Sequence, residues 1–160
     1  MIVDKNTLYT DFAASERYIN ADEVNRIMNA AIVAKYGDNG FFTLTIGALL
    51  DGMHGEFRPM YDANGLTVFD VYRVKAFSVW VRDFIGLVER FTLKPTAKQI
   101  GYTNGCVKMS FDESVYVFLR EYFGLHRFDD VLDLTVADYL LAKKDTFNRM
   151  TVERNQMQKL

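Results

Sequence analysis

The chain has 160 residues, the usual size of one domain, and 49% of them are hydrophobic, which excludes global disorder. A single cysteine, Cys106, excludes an intrachain disulfide, and the net charge of −2 selects no class of partner. The first residues lack a secretory pattern, and charges interrupt the longest apolar stretches. We therefore expect a soluble, intracellular chain with no membrane span.

The first part of the chain predicts one modest and one strong helix. Residues 7–17 give a weak signal for a short helix. Asn20 is a good N-cap, and Glu23 stands where its side chain can reach back to the cap amide. Gly37 is suited to end this second helix. Its apolar positions recur at helical spacing: Val24, Ile27, Met28, Ala31 and Ile32.

Residues 41–66 are the ambiguous region. The apolar positions of residues 41–52 fit a strand or a buried helix, and we favour the helix because Ile46 and Leu50 share one face. Residues 53–66 contain two glycines and Pro59, which predicts a loop, with a small β-hairpin around 62–65 as the alternative.

Residues 68–91 predict the central helix. Val74, Phe77 and Val81 belong to a continuous apolar stripe that is wide enough to contact several helices. Pro95 ends the pattern, and residues 96–109 predict a loop with one helical turn.

The last third predicts two capped helices. Ser110 with Glu113 forms a capping box, and this helix ends at Gly124. A short helical turn follows within residues 127–133. Thr135 caps the last helix, with Asp138 in its first turn and Val136, Leu140 and Phe147 on its buried side. The sequence therefore predicts a mainly α-helical bundle of about five helices, with a domain over residues 1–142 and a polar extension over 143–160.

The charges alternate along the chain in four blocks. Residues 1–66 carry a net charge of −4, residues 67–109 carry +4, residues 110–142 carry −5 and residues 143–160 carry +3. One explanation of this pattern is that neighbouring helices of opposite charge neutralise one another within one molecule. Head-to-tail contact between copies, where complementary potentials set the register, also explains it.

No motif for catalysis or metal binding stands out. The residues around Cys106 match no recognisable catalytic motif, so we interpret this cysteine as structural. His54 with Glu56 is more typical of a polar loop than of an acid–base pair. The acidic run Asp129, Asp130 and Asp133 lacks the spacing of a calcium loop and predicts a solvated face. Accordingly, we expect no cofactor, no metal and no enzymatic activity.

Nucleic-acid binding is also disfavoured. The basic residues of 67–109 include Arg73 and Lys75, which lie about 160° apart around a helix and do not form one row. No helix-turn-helix, zinc-finger or RNA-recognition signature is present. A modest basic patch remains as the alternative.

Residues 143–160, the C-terminal arm, are the main candidate for an interaction site. Basic and amide side chains dominate the arm, and few apolar residues interrupt them. A solvated helix end explains this composition, and so does a segment that docks on another chain and becomes ordered there. The predicted interaction residues are Lys143, Lys144, Phe147, Arg149, Met150 and Arg154.

The helical layout and the segment LLAKKDTFNRMTVERNQMQKL at 140–160 resemble the head–tail connector (adaptor or ring) proteins of tailed bacteriophages. The resemblance covers size and architecture and includes no diagnostic motif. It implies a homo-oligomeric ring under the portal, a C-terminal segment that reaches a neighbouring component, and a location in the virion. We therefore expect a structural assembly protein. The alternatives are a phage assembly chaperone or a small cytoplasmic regulatory or binding module.

Overall fold

The computed structural model describes residues 2–15, 19–55 and 65–159. These residues form eight α-helices and a short 3-10 helix, and their β pairing is limited to isolated bridges. The prediction of a mainly α-helical bundle is confirmed. The helices are α1 (Tyr9–Ser15), α2 (Ala21–Tyr36), the 3-10 helix (Phe41–Thr43), α3 (Ile46–Gly55), α4 (Val68–Arg90), α5 (Ala97–Gly101), α6 (Phe111–Phe123), α7 (Phe128–Leu132) and α8 (Val136–Gln158).

The fold has more helices than the expected five because short segments with few apolar residues also close helical turns. Thr96 begins α5 with a full capping box to Gln99, although α5 buries none of its residues. In α7, Val131 is fully buried and anchors the single turn. Local capping and one buried side chain are enough for such turns, but neither gives a periodic pattern.

The chain divides into two compact units. The first comprises Met1–Leu44 and Ala48–Asp83, and the second comprises Thr45–Gly47 and Phe84–Leu160. Helices α3 and α4 therefore each contribute residues to both units.

The first unit packs α1, α2 and the start of α4 around an aromatic pair. The Phe12 and Tyr72 rings meet edge to face with their centroids 6.2 Å apart, an arrangement that aromatic quadrupoles favour. Ile27 and Val68 complete this buried cluster. The segments before α1 and α4 are joined by an isolated antiparallel bridge between Leu8 and Thr67.

Residues 41–43 form the 3-10 helix and residues 46–55 form α3, so this region is mainly helical, as favoured, rather than a strand. The helix α3 continues through Gly55, so the loop expected from residue 53 begins later. Trp80 packs on Phe41 with ring centroids 5.2 Å apart, which fixes the start of this region within the first unit. The structure does not describe residues 56–64, so most of the hairpin considered around 62–65 lies outside the described part of the chain.

Of the two predicted capping boxes, the one at α6 is present in full and the one at α2 forms only one of its two hydrogen bonds. The Ser110 hydroxyl accepts from the Glu113 amide, and the Glu113 carboxylate accepts from the Ser110 amide at 2.8 Å. At α2 the Asn20 side chain accepts from the Glu23 amide at 2.8 Å. There the Glu23 carboxylate pairs with Arg26 one turn on and not with the cap amide.

The second unit is built around Phe84 and helices α6 and α8. The Phe84 ring is 1% exposed, and its centroid lies 6.4 Å from that of Phe111 and 5.6 Å from that of Tyr139. Leu119 of α6 and Val136 of α8 are fully buried. This core holds the first half of α8, the helix that contains the predicted interaction residues.

Candidate functional site

Helix α8 has a firmly held N-terminus. The Thr135 hydroxyl accepts from the Asp138 amide at 3.1 Å, and the Asp138 carboxylate accepts from the Thr135 amide at 2.9 Å. Thr45 forms an antiparallel bridge with Thr135, and the Ile46 amide donates to the Leu134 carbonyl at 2.7 Å. These bonds satisfy backbone groups at the start of the helix and fix its direction.

The first half of α8 is part of the core of the second unit. Tyr139 is 2% exposed, and its ring contacts that of Phe118 edge to face at 5.6 Å. Lys143 follows one turn later and is partly buried, with its Nζ 4.3 Å from the Phe118 ring centroid. Its ammonium group thus lies over an aromatic face, which compensates part of the cost of removing it from water.

The middle of α8 packs on the segment that follows α4. The Phe147 and Phe91 rings meet edge to face at 6.1 Å, and the Lys144 Nζ lies 5.3 Å from the Phe91 centroid. Two turns later the Arg154 guanidinium donates to the Lys94 carbonyl at 2.8 Å. Three of the predicted interaction residues, Lys144, Phe147 and Arg154, therefore bind residues 91–94 of their own chain.

Asp145 of α8 accepts polar contacts from two side chains. The Tyr122 hydroxyl donates to its Oδ2 at 2.7 Å, and Arg149 pairs with the same oxygen at 2.8 Å. The hydrogen bond to the carboxylate raises the pKa of Tyr122 above its ordinary value. The Arg149 side chain is still 72% exposed. Arg149 thus keeps most of its surface available to a partner, unlike Lys143.

The apolar face that faces the core continues along α8 beyond the part that the core covers. Met150 and Met157 lie about three and about five helical turns after Tyr139, so all three side chains project from nearly the same side. Their exposed fractions rise from 2% at Tyr139 to 38% at Met150 and 73% at Met157. We call Met150 and Met157, with the turns that carry them, the uncovered face of α8.

The opposite side of α8 is polar with isolated apolar residues. Val152 is 54% exposed and lies roughly 140° around the helix from Met157. A shallow depression of about 380 Å³ lies next to Val152, lined by Asn148, Arg149, Val152 and Glu153. Isolated exposed apolar residues of this kind are common on protein surfaces, so this side offers a weaker case for docking.

The six predicted interaction residues thus have different surroundings. Lys143, Lys144, Phe147 and Arg154 contact residues outside α8 in their own unit. Arg149 pairs with Asp145 of the same helix and is largely exposed, and Met150 is 38% exposed. Met157 is not among the predicted site residues, although its spacing from Tyr139 places it on the uncovered face of α8. The bond from Arg154 to the Lys94 carbonyl had no sequence signal, because a backbone acceptor is present at every residue.

Burial changes the proton affinity of two neighbouring groups on α8. Burial raises the pKa of Tyr139 from 10.0 to about 12. Burial lowers the pKa of Lys143 below its ordinary value, because the charged ammonium loses hydration. Both shifts favour the neutral form, as expected for groups that pack against aromatic rings.

The Tyr139 shift predicts a loss of stability in alkaline solution. A folded-state pKa above the unfolded value gives stability that is fully present below pH 10 and is lost as the pH rises through about 12. By pH 11 this loss should reach about 1.4 kcal/mol. Tyr139→Phe should remove that part of the decline between pH 9 and pH 11. Urea unfolding of both proteins at the two pH values measures it, and equal declines would contradict the assignment.

Of the residues considered for chemistry, Glu56 lies outside the described part of the chain and the others are exposed. Cys106 is exposed in the loop before α6, and His54 is exposed on the last turn of α3. Asp129, Asp130 and Asp133 are exposed on and beside α7. Among the described residues, no group of three or more His, Cys, Asp or Glu side chains is arranged to hold a metal ion.

Comparison with protein-family models, curated proteins and solved structures found no match. Within the described ranges, no helix has the length and apolar character needed to cross a membrane. The functional assignment therefore rests on the surfaces of the chain itself.

Proposed function

We propose that this protein is a non-enzymatic assembly protein that works as a homo-oligomer and docks the uncovered face of α8 on a neighbouring chain. One observation carries the proposal: the face of α8 that is 2% exposed at Tyr139 is 73% exposed at Met157. A helix that keeps its apolar face after its own core ends has a surface suited to another chain.

The energetics favour docking of this face. Full burial of one methionine side chain contributes about 1.5–3 kcal/mol, and methionine adapts its shape to irregular surfaces. Arg154 and Phe147 hold the preceding turns of α8 against residues 91–94. The helix is therefore ordered before it binds, which lowers the conformational entropy lost on association.

The more specific form of the proposal is a head–tail connector of a tailed bacteriophage, located in the virion as a ring. The helical bundle, the alternating charge blocks and the basic C-terminal arm support it. Mass spectrometry of purified virions separates a connector from an assembly chaperone. A connector stays in the finished particle at a fixed copy number, whereas a chaperone is absent from it.

The uncovered face can be tested by substitution on opposite sides of α8. Met150→Glu with Met157→Glu should weaken self-association about a hundredfold or more, since it removes two apolar contacts and places carboxylates in the interface. Val152→Glu on the other side is the matched control and should leave association unchanged. Sedimentation velocity over a concentration series measures both variants.

The outcome separates a surface effect from a folding effect. Thermal unfolding should show that the methionine variant retains the cooperative transition of the parent. If Val152→Glu disrupts association and the methionine variant does not, docking uses the opposite side of α8. That result would contradict the role proposed for the uncovered face.

A further inference from the structure

A second exposed surface lies between α4 and α6. Every residue of 94–110 is exposed. Tyr102 is 76% exposed and Val107 is 90% exposed, with Ile100 at 56% and Met109 at 50%. Four large apolar side chains within ten residues exceed the scattered exposure that is usual on a protein surface. Such a concentration is typical of an interaction site.

The 94–110 segment has a defined shape. Thr96 and Gln99 form a capping box, and the Thr103 carbonyl accepts from the Cys106 amide at 3.0 Å across a turn. Gly105 supplies the positive φ, +85°, in this turn. Arg154 binds the base of the segment through the Lys94 carbonyl. The apolar side chains are thus displayed on a preorganised loop, which favours binding.

The charges on the segment have one sign. Between Arg90 and Phe111 the chain carries four basic residues and no acidic residue: Arg90, Lys94, Lys98 and Lys108. In the described part of the chain, none of these lysines forms an ion pair. Their charges are therefore available to a partner of opposite sign.

The second unit carries a surface of the opposite sign. Asp129 and Asp130 are exposed on α7, and Asp133 directly follows it. Phe128, the first residue of α7, is 51% exposed, and its ring packs on Tyr116 at 4.6 Å. We call Phe128 and the three aspartates the acidic surface. Within the described ranges, its three carboxylates form no ion pair. The acidic surface thus combines negative charge with an exposed aromatic ring, the complement of a basic, apolar loop.

We propose that the 94–110 segment of one copy docks on the acidic surface of a second copy. The proposal rests on the proposed homo-oligomer and names the surfaces that form its contact. Because two different surfaces of one chain meet, the contact is heterologous, and repeating it generates a ring when the rotation between subunits closes. The uncovered face of α8 forms a further contact between copies in the same oligomer.

Charge reversal on each side tests the pairing. The segment variant is Lys94→Glu, Lys98→Glu and Lys108→Glu, and the surface variant is Asp129→Lys, Asp130→Lys and Asp133→Lys. Each variant alone brings like charges together and should associate at least about a hundredfold more weakly than the wild type. An equimolar mixture restores opposite charges at every contact and should associate again. Native mass spectrometry identifies the mixed oligomers.

The results distinguish the two proposals. If the wild type does not associate at any concentration, the proposed homo-oligomer fails, and this contact fails with it. If the wild type associates and the reversed variants match it, or stay apart when mixed, this contact alone is overturned. Val107→Glu provides a second variant that keeps every lysine, and it should weaken association at least about tenfold. An undiminished association of Val107→Glu would also count against the docking of this segment.

Discussion

Phe84→Ala should lower the free energy of unfolding by about 3–5 kcal/mol, the largest effect that we expect from a single substitution. The Phe84 ring is 1% exposed and lies between Phe111 of α6 and Tyr139 of α8. Its removal leaves a cavity, and Tyr139 cannot move into that cavity without losing its edge contact with Phe118. Since domains are stable by only about 5–15 kcal/mol, this is a large fraction of the total.

The matched control for Phe84→Ala is Phe42→Ala, the same substitution at a ring that is 51% exposed. Phe42 has an edge contact with Phe41 at 5.8 Å but no complete enclosure. We expect a cost within about 1 kcal/mol, close to that of ordinary surface changes. Chemical unfolding monitored by circular dichroism compares the two variants. Equal costs would show that Phe84 is not the centre of the second core.

Gly52→Ala and Gly86→Ala should change stability in opposite directions although both glycines are helical. A Cβ at Gly52 would overlap the Phe77 ring and lie 3.0 Å from the Tyr36 hydroxyl oxygen. Phe77 is fully buried and stacks on Tyr36 at 5.5 Å, so its ring has no room to move. We expect Gly52→Ala to destabilise the protein by about 1–3 kcal/mol despite the better helix propensity of alanine.

Gly86 provides the control because a Cβ there meets nothing within 4 Å. Gly86 lies inside α4, where alanine restricts the unfolded chain and favours the helix. Gly86→Ala should therefore stabilise the protein by about 0.5–1 kcal/mol. Urea unfolding midpoints give both values. A Gly52→Ala protein as stable as the Gly86→Ala protein would contradict the close packing of α3 on Phe77.

The helices with strong local signals could be predicted from the sequence, and those fixed by distant contacts could not. Ser110 with Glu113 marks its helix start because both partners lie within one turn. Residues 41–52 fit a strand or a buried helix, with the helix only favoured, and contacts such as that of Phe41 with Trp80 are not visible in the sequence. Such contacts join residues far apart in the chain, so no local pattern records them.

In the candidate site, too, local features could be predicted from the sequence and contacts between distant residues could not. The amphipathic start of α8 and its polar continuation were visible in the sequence, and Met150 was among the predicted residues. The contacts of Lys143 with Phe118 and of Arg154 with the Lys94 carbonyl were not. Residues 96–109 are predicted as a loop with one helical turn, and α5 provides that turn. The exposure of the apolar residues in the 94–110 segment has no sequence signal, because it depends on the absence of a covering element. Sequence composition alone does not reveal that absence.

We propose that copies of this chain associate through surfaces that are built into the fold. Native mass spectrometry of the wild-type protein over a concentration series tests the claim most directly. We expect one closed oligomer, with a mass that is a fixed multiple of 18.5 kDa, to become the dominant species as the concentration rises. A single species of 18.5 kDa at every concentration would contradict it.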